Sequence, residues 1–177
     1  MAAKKSITIW GLIIPLVIWA WIMGFTSSAS AETMNYKFYT YMAKLERVLI
    51  GDVEDHALSL SIRRAILVFE NGETGTHTSI TTSDTIKGSG GYSQYSTTTF
   101  ADGSTIVAKS QGTLGGGTGV GAYTRGERTG EIIKGTGRFE GIKGTVTGRT
   151  KYLPLEKGED GPKGIGEGTF TYTLPSK

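Results

Sequence analysis

Few side chains in this sequence can carry acid–base or nucleophilic chemistry, and their types narrow the reactions quickly. Cysteine is absent, which excludes thiol nucleophiles, and no G-x-S-x-G elbow is present to raise a serine. His56 and His77 are the only imidazoles. Gly51-Asp52-Val53-Glu54-Asp55-His56 gathers three carboxylates beside one of them, but its spacing is not that of a calcium loop, so it reads as a solvated loop. The same holds for Glu156, Glu159 and Asp160. No metal site and no cofactor are expected: the glycine-rich stretch 112–121 lacks the strand-then-helix context of a dinucleotide site, and no P-loop string occurs. What remains are carboxylates on strand-like runs. Glu46 and Glu131 are the catalytic candidates, because a carboxylate enclosed away from water has a raised pKa and suits proton transfer. Glu46 also reads as a surface glutamate beside Arg47, and Glu131 depends on whether a register that buries Ile132 turns it to the opposite face. Tyr123, with a hydroxyl at the end of an apolar ring, and Phe139 are the ligand-binding candidates.

The elements that position these residues begin after a leader. Lys4 and Lys5 precede an apolar run from Ile7 to Phe25, and Ala29-Ser30-Ala31 ends it with a small-x-small cleavage signature. Residues 1–31 therefore read as a signal peptide, and the product is expected to be secreted or periplasmic. The run also approaches the roughly 20 apolar residues that span a bilayer, so an uncleaved membrane anchor is the alternative. Cleavage would leave residues 32–177 as a single domain of the 177-residue chain. Its loss of two of 19 basic side chains leaves 17 against 16 acidic ones, a net charge of +1. That is no field for a nucleic acid.

Within 32–177 the pattern is that of strands. Met34, Tyr36, Phe38, Thr40 and Met42 alternate with polar or aromatic neighbours, and Lys44–Ile50 continues as strand. Leu58, Leu60 and Ile62 alternate with serines. Arg63-Arg64 then interrupts, and Ala65–Phe69 is apolar on both faces, which predicts a bulge at the arginines and a subunit contact on the outer side. Asn71-Gly72 and Asp102-Gly103 are hairpin signals. Gly88–Gly91 and Gly112–Gly121 read as loops. Further strands are predicted over Thr74–Thr82, Tyr92–Phe100, Thr105–Ser110, Tyr123–Lys134 and Thr145–Leu153, and Thr169–Leu174 closes the series with the clearest alternation. About eight strands with short turns and no 3.6-residue period predict an all-β fold, an eight-stranded antiparallel up-and-down β-barrel. Its interior would be either filled by side chains or just wide enough for one small ligand.

Between two of these strands lies Gly135-Thr136-Gly137-Arg138-Phe139-Glu140-Gly141-Ile142-Lys143-Gly144, a glycine-dense corner. Together with Phe100-Ala101-Asp102-Gly103, Ile106 and Gly121-Ala122-Tyr123, it resembles, in order and composition, the late barrel of the allene oxide cyclase and dirigent-type families. The resemblance covers the second half of the chain. It implies an apolar barrel that moulds a lipid-derived or phenolic molecule, an isomerase or cyclase chemistry using a carboxylate and a water in the enzymes of the group, and a homo-oligomer, commonly a trimer. Two functions follow: an exported barrel that binds a small apolar ligand or is structural, or a cyclase-like enzyme acting on such a ligand.

Overall fold

The structure is a computed structural model that describes residues 30–116, 123–159 and 161–176. The leader and the Gly112–Gly121 stretch thus fall wholly or partly outside the described residues. Eight strands, β1 (Glu32–Leu49), β2 (His56–Phe69), β3 (Thr74–Ile86), β4 (Ser89–Phe100), β5 (Thr105–Gly116), β6 (Tyr123–Thr136), β7 (Lys143–Tyr152) and β8 (Gly164–Thr173), follow one another. Each pairs antiparallel with the next and β8 returns to β1, closing an up-and-down barrel. Among the described residues the only helical segment is a short turn at Gly137–Phe139, and no helix is long and apolar enough to cross a membrane.

The two hairpin signals form turns of the same build. Gly72 N–H donates to the Phe69 carbonyl and Phe69 N–H to that of Glu73, while Gly103, Phe100 and Ser104 repeat the pattern. Gly72 and Gly103 take positive φ, 84° and 80°, which glycine adopts without steric cost. Each is a three-residue connection with its glycine in the left-handed position. The predicted loop at Gly88–Gly91 is instead a two-residue turn at Lys87 and Gly88, both at positive φ, and Ser89, Gly90 and Gly91 already belong to β4. Likewise Gly112, Gly115 and Gly116 are paired within β5. A Cβ on Gly112 would lie 2.0 Å from the Glu127 carbonyl oxygen and 2.7 Å from the Tyr92 ring, so only glycine lets β5 pass there.

Inside the barrel the side chains sort into two ends. At the end closed by the 70–73, 101–104 and 137–142 turns, aromatic rings follow one another across the lumen: Tyr36 to Phe69 at 5.6 Å, Phe69 to Phe100 at 5.2 Å, Phe100 to Phe139 at 4.9 Å. Leu67, Ile106, Ile132, Val146 and Phe170 fill the gaps. Arg138 covers this plug from outside, over the Phe100 and Phe139 rings at 4.7 and 4.8 Å. It also pairs with Glu73 and Asp102 of the two hairpin tips.

Register shifts, on β1 and on β6 among them, decide which residues reach the lumen. The bulge predicted at Arg63-Arg64 does not fall on β2, which stays in phase from Ala57 to Phe69; the partner strand takes it, between Met42 and Lys44 of β1. A one-residue slip moves every later side chain to the other face. Arg63, opposite Met42, keeps the phase of Ala65 and Leu67 and is buried in the lumen, whereas beyond the bulge on β1 Glu46 and Val48 face outward. On β6 the shift falls between Ile132 and Lys134, turning Ile132 inward and Ile133 outward.

Candidate functional site

The other end of the lumen is polar. Arg63 comes from β2, His77 and Ser79 from β3, Tyr92 and Gln94 from β4, and Arg128 from β6; with Thr40, Thr150 and Tyr152 they surround a cavity of only about 30 Å³. Strand alternation puts them there: Arg63 sits in phase with Ala65 and Leu67, Gln94 with Phe100 and Arg128 with Ile132, while His77 and Ser79 belong to the inward row of β3, which is polar throughout. Arg63 donates to the Pro162 carbonyl and to the Met42 sulfur, and its guanidinium lies 4.9 Å from the Tyr152 ring centroid. Gly161 and Pro162 of the β7–β8 connection are buried over this end of the barrel.

Arg128 donates to the Tyr36 hydroxyl at 2.9 Å and lies 5.9 Å from the Phe38 ring centroid. Its Nε is sealed from solvent and has no hydrogen-bond partner, and the same is true of Gln94 Nε2. Gln94 uses its oxygen to accept from Thr81 at 3.3 Å. Among the described residues no carboxylate is buried and none forms an ion pair with Arg128. An arginine keeps its charge regardless of surroundings, so the cation must be accommodated. His77 responds instead: burial, helped by the nearby Arg128 charge, pulls its pKa down to about 3, and it stands as a neutral ring paired through Nδ1 with Thr98 Oγ1 at 2.9 Å. Burial also raises the Tyr92 phenol above its usual range, and its hydroxyl donates to the Glu127 carbonyl at 3.2 Å.

The residues singled out in the sequence lie elsewhere. Glu46 is exposed on the outer wall and pairs with Lys44 at 2.6 Å, which lowers its pKa through that hydrogen bond and charge, the reverse of what an enclosed acid needs. Glu131 is exposed between Lys109 and Thr145, on the face opposite Ile132. Phe139 is buried in the aromatic plug, away from the polar cavity. Tyr123 opens β6 opposite Gly116; its side chain lies outside the described residues. In the 51–56 loop, His56 when protonated donates from both ring nitrogens, to Asp52 at 2.6 Å and Asp84 at 2.8 Å, so its polar atoms tie the β1–β2 loop to β3. Arg128 and Gln94 carry no distinguishing sequence pattern. Arg63 does have one: strict alternation counted back from Ala65, Leu67 and Phe69 places it inside.

The outer wall carries open troughs between rows of outward side chains. One, of about 1070 Å³, is lined by Val48, Leu58 and Leu60 together with Glu46, Asp84 and Glu127. A second, of about 750 Å³, is lined by Tyr39, Ile66, Val68 and Ile165 with charged neighbours from β6 and β7. The strand register sets Ile165, Tyr39 and Ile66 side by side, and Ile80 beside Tyr95.

No protein-family model matches the chain, and no curated protein matches it. Among solved structures it is similar to the pterocarpan synthase dirigent protein GePTS1, at 15% identity with a TM-score of 0.49 over 87% of this chain and 96% of that one. It is also similar to the pterocarpan synthase dirigent protein PsPTS1, at 17% identity with a TM-score of 0.48 over 83% of this chain and 97% of that one.

Proposed function

We propose that the protein is a non-catalytic barrel of the cell exterior that works through its outer wall, holding small apolar molecules there or packing against a second copy. The observation that carries this reading is the contrast between lumen and wall. Among the described residues the cavity at the polar end of the lumen is about 30 Å³, while ligand sites begin at roughly 300 Å³. Outside, Leu58, Leu60, Ile66, Val68, Ile80 and Tyr95 face solvent, in groups divided by polar side chains such as Arg64, and exposed apolar patches mark interaction sites. A cyclase-like reaction asks for a carboxylate inside a ligand-sized interior; Glu46 and Glu131 both point away from it.

Native mass spectrometry of material purified from its own host, combined with titration of a lipophilic fluorophore, tests the reading. The expected result is retained apolar ligand or saturable fluorophore binding that Leu58→Ser with Leu60→Ser abolishes, and that Glu46→Gln and Glu131→Gln leave unchanged. Turnover of a bound ligand that is lost in either glutamine variant would replace the reading with the cyclase-like one.

A further inference from the structure

We infer that the polar end of the lumen is a binding site for one monatomic anion of halide size, held between Arg128 and Gln94. This site is inside the barrel and independent of the outer-wall reading. Two buried atoms lining the cavity lack a partner, Arg128 Nε and Gln94 Nε2, and both are donors. Gln94 is nine-tenths buried, and its other amide atom already accepts from Thr81. A leftover buried donor costs about 1–3 kcal/mol, so an acceptor belongs between the two.

Charge and size choose the acceptor. Water could satisfy both donors but would leave a half-buried guanidinium, its Nε sealed from solvent, whose polar partner is a phenol, and withdrawing a cation from water costs free energy unless a counter-charge accompanies it. None of the described carboxylates is buried to supply it. A cavity needs roughly 10–15 Å³ per water, so about 30 Å³ has room for two waters or one halide. A cavity this small favours a monatomic anion over sulfate or the carboxylate of an organic ligand. The neutral His77 in the same wall adds no competing positive charge.

The test is the melting temperature of the full barrel domain in sodium chloride and sodium bromide against sodium gluconate and sodium sulfate at matched ionic strength, with a bromide-soaked crystal examined by anomalous scattering. Chloride and bromide should raise Tm by roughly 3–5 °C per tenfold concentration once above the dissociation constant, and bromide should scatter between Arg128 and Gln94. Arg128→Met should lose the halide response. If that variant does not fold, Gln94→Glu decides the same point: it puts a carboxylate in the wall that Arg128 also lines, so it should be stable without halide and indifferent to it. Equal responses to gluconate and chloride, a Gln94→Glu variant as halide-dependent as the parent, or bromide density only at the surface would each overturn the site.

Discussion

Phe69 and Phe100 occupy the same position in two turns of the same build, and their rings stack 5.2 Å apart. Each residue both starts its turn and donates its side chain to the aromatic plug, so turn geometry and core packing are coupled through one side chain. Phe69→Ala and Phe100→Ala should each cost about 3–5 kcal/mol. Gly72→Ala and Gly103→Ala, which force a Cβ into the left-handed region but meet no atom within 4 Å, should cost about 1 kcal/mol each. Urea unfolding read by tyrosine fluorescence measures all four; a glycine variant as costly as a phenylalanine variant would break the argument.

The two histidines should impose opposite pH dependence. His77 has its native pKa pulled from 6.5 to about 3, so below pH 6.5 the unfolded chain binds the extra proton and stability falls as pH drops toward 3, by an amount on the order of 4 kcal/mol. His77→Gln should flatten that limb. His56 has a raised pKa, because Asp84 first and then Asp52 accept from its ring; its contribution is complete below pH 6.5 and fades as pH rises through the raised value. His56→Gln should therefore lower stability at acidic pH and converge on the parent in alkali. Unfolding midpoints from pH 3 to 9 give both signs, and parallel curves for the two variants would refute the assignment.

Self-association should occur through the outer wall. Ile66 and Tyr95 are 57% and 52% exposed, and the Ile165–Tyr39–Ile66 row crosses three strands. A homotrimer is the assembly that the family resemblance implies. Ile66→Glu with Val68→Lys should dissociate it without unfolding the barrel, since neither side chain enters the lumen. Sedimentation velocity at micromolar concentration decides; a monomeric parent would leave the wall to a different partner.

Trp10, Trp19 and Trp21 are the only tryptophans and all lie within residues 1–31, the expected leader. If the leader is removed after Ala31, the exported protein begins at Glu32 and emits only as tyrosine. Intact mass and an emission spectrum settle it. Tryptophan emission from exported material would mean an uncleaved, membrane-anchored form.

The sequence by itself determined the strands, most of their order of joining and the twin glycine turns, because alternation, Asn-Gly and Asp-Gly act over a few residues and need no distant partner. It also marked the 135–144 corner, where a Cβ on Gly135 would lie 2.1 Å from the Phe139 carbonyl oxygen. Tertiary structure alone decided which face of each strand is the inside. Period two groups residues onto a face without saying which face is buried, and β2 is apolar on both, with Leu58, Leu60 and Ile62 against Ala65, Leu67 and Phe69, so hydrophobicity could not choose. Closing the barrel made the choice through single-residue shifts in the pairing. The one between Met42 and Lys44 turned Glu46 to solvent although unbroken alternation from Met34 would have placed it in the lumen. Opposite that shift Arg63 kept its phase and went in, while Arg128 was carried inside from β6 in step with Ile132. Which charges share an enclosed space is a property of register around a closed sheet, and register is set by pairings between residues far apart in the chain.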